Sequence, residues 1–226
     1  MEEILDKRYV TGALGVLMSV LTVAQACNGT AEYTPGRPYL KLVGGGTRVN
    51  VDGLPSGNQN GTGPVGVLAA GGGYVCPNGL YLGGEVFAAW NKLSIESTLT
   101  TDEEVVLHAV RKAKESFGGA FQVGYAWNLD SLPSLIYIRM GVERMNWARH
   151  AYGTESSLDL YEEIKKDTVK PVFWVPGVGW RHHVTDHWAV TAEYQHALGT
   201  GVKKLTRDDK PKWSFQRLVL GMSYNF

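Results

Sequence analysis

The sequence predicts an all-β chain, an eight-stranded antiparallel up-and-down transmembrane β-barrel. Three observations predict it. Apolar residues alternate with small or polar ones through eight successive segments. The connections between those segments are alternately short and long. An apolar N-terminal run ending in a small-x-small triplet reads as an export signal.

The N-terminus comes first. Lys7 and Arg8 precede an apolar run from Val10 to Val23, and Ala24-Gln25-Ala26 follows it as a cleavage pattern. The run is short for a membrane helix, which needs about 20 apolar residues. Glu2, Glu3 and Asp6 make its leading region more acidic than a signal usually is. The expected organisation is a signal peptide over 1–26, a periplasmic N-terminal segment over 27–37 and a barrel over 38–226. Cleavage after Ala26 would leave Cys27 at the terminus. No Leu opens a lipobox before it, so a plain terminus is the expectation, with lipidation or a disulfide to Cys76 as open alternatives.

Composition agrees with strands. Among 226 residues there are 28 Gly, 7 Trp and 11 Tyr, a strand-forming and turn-forming mixture rather than a helical one. Lys plus Arg equals Asp plus Glu at 22 each, so no global field draws nucleic acid, and no nucleic-acid partner is expected.

The strands are expected near 38–51, 64–75, 80–93, 115–128, 134–149, 169–182, 187–198 and 213–226. Short turns join the second to the third (Cys76-Pro77-Asn78-Gly79), the fourth to the fifth (129–133) and the sixth to the seventh (His183-Val184-Thr185-Asp186). Longer links cover 52–63, 94–114, 151–168 and 199–212. Short periplasmic turns opposite longer external loops are the layout of an outer-membrane barrel.

Each strand then separates into two faces. In the last, Leu218, Leu220, Met222, Tyr224 and Phe226 oppose Arg217, Val219, Gly221, Ser223 and Asn225. In the seventh, Trp188, Val190, Ala192 and Tyr194 oppose His187, Ala189, Thr191, Glu193 and Gln195; in the fifth, Ile136, Ile138, Met140 and Val142 oppose Tyr137, Arg139, Gly141 and Glu143. The third and fourth strands divide likewise, while the second is too rich in glycine to phase. A soluble lipid-binding barrel would show the same alternation with its apolar face inward. The chemistry of the polar faces decides: they hold small residues and one or two charges each, which suits a crowded interior better than a wetted surface.

With the polar faces inward, the lumen collects Lys41, Glu85, Arg139, Glu143, Glu193 and Arg217. Three positive charges meet three negative ones in a space only wide enough for side chains, so they are expected to pair into a network that plugs the barrel. Two aromatic girdles are also expected. Trp90, Phe117, Trp147, Trp174 and Trp213 would form the external one, and Tyr39, Tyr81, Trp127, Trp180, Trp188, Tyr224 and Phe226 the periplasmic one.

A resemblance rests on Pro176-Gly177-Val178-Gly179-Trp180-Arg181, on the segment Asp186 to Tyr194, and on the ending Leu220-Gly221-Met222-Ser223-Tyr224-Asn225-Phe226. These resemble the small outer-membrane barrels of the OmpA/OmpX type, including opacity-like surface antigens, over residues 38 to 226. The resemblance implies the outer membrane of a Gram-negative cell as the location, and a structural, adhesive or surface-antigen role. It also implies a monomer and, as partners, outer-membrane lipid and lipopolysaccharide, the barrel-assembly machinery, and a host or surface ligand. Gly221, Tyr224 and Phe226 match the terminal signal that the assembly machinery reads; Val219 departs from it, standing where a polar residue is usual.

The alternatives are a narrow ion channel of porin type, an outer-membrane enzyme and a soluble lipid carrier. His182, His183, Asp186 and His187 cluster at a short turn without the spacing of a metal site. His150, His196, Ser156, Ser157 and Asp159 assemble no nucleophile, base and acid set. No enzyme activity, cofactor or metal is expected. Lys203, Lys204, Arg207, Lys210 and Lys212 form a basic external loop able to meet anionic sugars by charge attraction.

Overall fold

The computed structural model describes residues 38–52, 59–100, 106–129, 132–154, 161–199 and 212–226. The predicted signal peptide and the segment over 27–37 lie outside them. The strands are β1 (Tyr39–Asp52), β2 (Gln59–Val75), β3 (Leu80–Thr100), β4 (Val106–Leu129), β5 (Leu132–Thr154), β6 (Tyr161–Val169), β7 (Val172–His183), β8 (Trp188–Gly199) and β9 (Lys212–Asn225). Each pairs antiparallel with its neighbours, and β1 pairs with β9, so the sheet closes on itself.

Nine strands make eight staves. Trp147 of β5 faces Val169 of β6, and Arg144 faces Val172 of β7, which keeps one register through both. The interruption is Lys170-Pro171: proline has no N–H to give the ladder, yet its carbonyl still accepts from the Met145 amide at 3.1 Å. β6 and β7 are one stave broken at a proline.

Much of what the sequence suggested as long external loops is strand. Residues 94–100 and 106–114 extend β3 and β4, residues 151–154 and 161–168 extend β5 and β6, and Gln59–Gly63 opens β2. In the first of these segments, Ile95, Arg111 and Ala113 are buried inward while Glu96, Lys112 and Lys114 face out, so the charge that resembles a loop belongs to one face of a ribbon. The alternation is hard to follow because the register shifts between Trp90 and Leu93 and again between Ala113 and Ser116. On β4 the buried parity changes from Gln122, Ala120 and Ser116 to Ala113 and Arg111 across the exposed pair Lys114 and Glu115. One bulge residue reverses the faces of everything beyond it.

The first short turn is shaped by Gly79, whose φ of 87° lies in the left-handed region that a side chain disfavours. The Cys76 amide donates to the Leu80 carbonyl at 2.7 Å, and the Leu80 amide to Asn78 Oδ1 at 3.1 Å. Cys76 is buried and disulfide-bonded; the other cysteine of the chain, Cys27, lies outside the described residues.

Inside the barrel, aromatic rings lie across glycines of neighbouring strands. Tyr39 covers its pairing partner Gly71, Phe87 covers Gly118, Tyr137 covers Gly179, and Phe173 covers Gly199. Tyr39, Tyr81, Trp147 and Trp213 are therefore buried inward rather than standing in the girdles where the sequence reading set them. All four occupy the inward parity of their strands, and that parity overrides aromatic preference for an interface. Trp90, Phe117 and Trp174 do face outward at the external end, and Trp180, Trp188 and Phe226 at the other.

Adjacent glycines make this steric rule testable. A Cβ on inward Gly118 would stand 2.2 Å from the Val142 carbonyl oxygen and 2.5 Å from the Phe87 ring, whereas one on outward Gly119 would meet nothing closer than 3.6 Å. Gly118→Ala is expected to destabilise the barrel by about 1–3 kcal/mol. Gly119→Ala should stay within about 0.5 kcal/mol of wild type in urea unfolding from detergent micelles.

Candidate functional site

The inward faces bring all six sequence-predicted charges into the lumen, in two groups. The first centres on Lys41 of β1, whose Nζ donates to Glu85 Oε2 of β3 at 2.7 Å and to Glu193 Oε1 of β8 at 2.5 Å. Arg139 Nε of β5 donates to the other Glu85 oxygen at 2.9 Å, and Tyr39 adds its hydroxyl to Glu85 at 3.1 Å. Glu193 also accepts from the Tyr137 hydroxyl and from Gln195 Nε2. Glycine gives access: Glu85, Gly71 and Tyr39 stand in one row across β3, β2 and β1, and the missing side chain in the middle leaves room for the groups on either side to meet.

The second group is Arg217 of β9 gripping Glu143 of β5 through two parallel bonds, Nη2 to Oε1 at 2.8 Å and Nη1 to Oε2 at 3.1 Å. Gln195 and Thr47, its direct partners on β8 and β1, accept from the same guanidinium, as does Asn91 of β3. Gln195 touches both groups and joins them. Every one of the six charges is at most 4% exposed, so each carboxylate depends wholly on these donors.

Two buried cations escaped the sequence reading. Arg181 of β7 lies 4.0 Å from the centre of the Tyr39 ring and 5.8 Å from that of Tyr137, held by aromatic faces rather than by a carboxylate. Arg111 of β4 lies 5.7 Å from the Trp213 ring. Phasing the sixth stave would have found Arg181, which shares the parity of Phe173, Val175 and Gly179. Arg111 sits beyond the β4 bulge, where the inherited phase points the wrong way.

The external half of the lumen is filled differently. Val49, Val51, Leu93, Ile95, Met145, Trp147, Phe173, Val175, Trp213 and Phe215 form one apolar cluster. Trp147 meets Trp213 edge-on at 5.0 Å, and Phe173 meets Phe215 at 5.1 Å.

The other candidates are placed as follows. Gly221 is packed against the Leu42 carbonyl, Tyr224 meets Trp188 and Phe226 edge-on, and the Phe226 amide donates to the Pro38 carbonyl at 3.0 Å. Lys212 opens β9 opposite Asp52, while Lys203, Lys204, Arg207 and Lys210 lie outside the described residues, as do Ser156, Ser157 and Asp159. His182 is bonded to Ser134 and His187 to the Asn225 carbonyl. Among the described residues, no three His, Cys, Asp or Glu side chains are placed to hold a metal.

The outer wall is the reverse of the lumen. Leu42 is 65% exposed, Ile138 61% and Leu220 61%, with Leu40, Met140, Leu198, Leu218 and Met222 beside them. A barrel with ion pairs within and a leucine-rich wall outside is built for lipid, the inverse of a soluble carrier. The chain is an integral outer-membrane β-barrel. It belongs to the outer membrane protein beta-barrel domain family, whose model matches residues 13–226.

Among solved structures, the Neisserial surface protein A is 12% identical, with a TM-score of 0.40, covering 84% of this chain and 97% of its own. OprG of Pseudomonas aeruginosa is 12% identical, with a TM-score of 0.41, covering 85% and 97%. Ail of Yersinia pestis is 9% identical, with a TM-score of 0.36, covering 83% and 99%. No curated protein sequence matches.

The Arg217–Glu143 pair supplies a second test. Arg217→Ala strands a buried carboxylate and is expected to cost about 3–5 kcal/mol, while replacing both partners by methionine should recover most of that loss. Urea midpoints of the single and double variants measure it; equal losses in both would show that packing, not pairing, sets the cost.

Proposed function

We propose that this protein is a sealed outer-membrane barrel whose role is structural and surface-presenting rather than conducting. The observation that carries this reading is the filling of the lumen by two chemistries in series. The charge network occupies one stretch and the apolar cluster the other. An ion moving through would have to displace paired charges and then enter an apolar section where its hydration has no replacement.

The lengths of the middle strands support a surface role. A β-strand crosses a bilayer in about 9–11 residues. β4 has 24 residues and β5 has 23, so both run well past the membrane. Their extensions form an antiparallel ribbon on the external side, a platform on which adhesive or antigenic loops can be carried. The packing of Gly221, Tyr224 and Phe226 at the closing seam is compatible with a terminal signal read during assembly.

Planar-bilayer recording tests the sealed lumen. Wild-type protein is expected to show no large, stable conductance. Arg139→Ala should remain closed as well, because the apolar cluster above it is untouched. Large stable openings of the wild type would overturn the reading in favour of a channel.

A further inference from the structure

The two carboxylates of the Lys41 group are fully engaged. Glu85 accepts from Lys41, Tyr39 and Arg139, and Glu193 from Lys41, Tyr137 and Gln195, so each of their oxygens is used and none by Arg181. Three buried cations, Lys41, Arg139 and Arg181, thus share this part of the lumen with two carboxylates. Arg217 and Glu143 neutralise each other. One positive charge of the inner group is left without a counter-charge among the described residues.

The surplus falls on Arg181. Its side chain is buried, and both Nε and Nη2 are enclosed without a hydrogen-bond partner. These two nitrogens lie along one edge of the guanidinium and direct their N–H bonds the same way, which is the fork by which arginine holds an anion. Arg139 differs, because its Nη1 is unpartnered while its Nε is bonded to Glu85. Tyr39 and Tyr137 present ring faces to Arg181 at 4.0 and 5.8 Å, and a ring face attracts a cation without accepting along its edge. A buried charge whose fork meets no acceptor is costly, and a guanidinium cannot relieve the cost by losing its proton.

Two further donors stand on the neighbouring staves. Thr191, the direct partner of Arg181 on β8, is buried with its hydroxyl unpartnered. Ser223 of β9 is in the same state, two residues beyond Gly221, which pairs with Thr191. The inward residues of β8 and β9 at this level, Ala189, Thr191, Gly221 and Ser223, are all small, so no long side chain from these staves competes for the fork. A lumen of eight staves has room for little beyond side chains, which limits an occupant to a small ion. Arg181 lies two residues before His183, where β7 ends at the periplasmic turn. An ion can therefore arrive from that mouth without crossing the apolar cluster in the external half.

We propose that the periplasmic half of the lumen binds one small inorganic anion of the halide class, held by the Nε and Nη2 edge of Arg181 with the Thr191 and Ser223 hydroxyls as further donors. The anion supplies the missing negative charge. Entry from one end suffices, so the site does not depend on whether the lumen conducts.

The test uses the full mature chain refolded in detergent. Crystals grown in sodium bromide locate the heavier halide by its anomalous scattering, and one bromide is expected within hydrogen-bonding reach of Arg181 Nε and Nη2. Water there without an anomalous signal would overturn the proposal. In solution, the melting midpoint of the heat-modifiable form is followed in sodium chloride and sodium gluconate at one ionic strength. Chloride is expected to raise the wild-type midpoint in a saturable way. Arg181→Gln should abolish that dependence, and Thr191→Val, which keeps the shape and removes the hydroxyl, should weaken the apparent chloride affinity about three- to tenfold. Lys114→Gln on the outer wall should leave it unchanged. An undiminished chloride dependence in Arg181→Gln, or an equal loss in Lys114→Gln, would sink the assignment. If Arg181→Gln fails to fold, the bromide position in the wild type and the response of Thr191→Val decide.

Discussion

The constraint on which this structure depends is the width of an eight-stave barrel, which leaves an interior only large enough for side chains. Every inward residue must then fit the residues across from it, both in volume and in charge. The glycine content follows from volume. Tyr39, Phe87, Tyr137 and Phe173 can lie inside only because Gly71, Gly118, Gly179 and Gly199 give up their own space to them. The ion pairs follow from charge. With Lys41, Arg139 and Arg217 almost wholly removed from solvent, carboxylates within hydrogen-bond reach offset the cost of burying them, as aromatic faces do for Arg181.

The outer wall has no such constraint, because lipid adapts to whatever shape it meets. Its residues are chosen by polarity and depth: leucine, isoleucine and methionine through the middle, tryptophan and phenylalanine towards the edges. This difference between the walls explains why the same residue type means different things on each. An inward glycine such as Gly118 is a steric necessity; an outward one such as Gly46 or Gly66 is not.

Period-two alternation made the faces of the barrel legible, and with them the six lumen charges, because a strand's side chains can point only two ways. It held in β3, β4, β5, β8 and β9 wherever the pairing was regular. The limits of β3 and β4 were not legible, since the bulge at Lys114 and Glu115 reverses the parity and leaves Arg111 and Ala113 on what the earlier phase marks as the outside. The inward tryptophans were misplaced for a related reason: Trp147 and Trp213 share the parity of Arg139 and Arg217, but aromatic chemistry alone suggests an interface. The apolar cluster they build draws on β1, β3, β4, β5, β7, β8 and β9, and no local pattern announces it.

Alternation also leaves one thing undetermined that the charges settle. A strand that slips by one residue turns its apolar face inward and is rejected at once, but a slip of two keeps both faces correct. Such a slip moves a side chain about 6.8 Å along the strand. Lys41 would then be carried out of reach of both Glu85 and Glu193, and Arg217 away from Glu143, leaving buried charges without partners. The apolar cluster could tolerate the exchange of one aliphatic residue for another; the ion pairs could not. The network therefore acts on register as much as on stability, choosing among the even slips that hydrophobic patterning treats as equal. Its members stand on β1, β3, β5, β8 and β9, so that it spans the seam where the first and last strands meet. That seam is the pairing that joins the first and last strands rather than staves consecutive in the chain. The charges that fill the lumen thus also specify how the barrel closes.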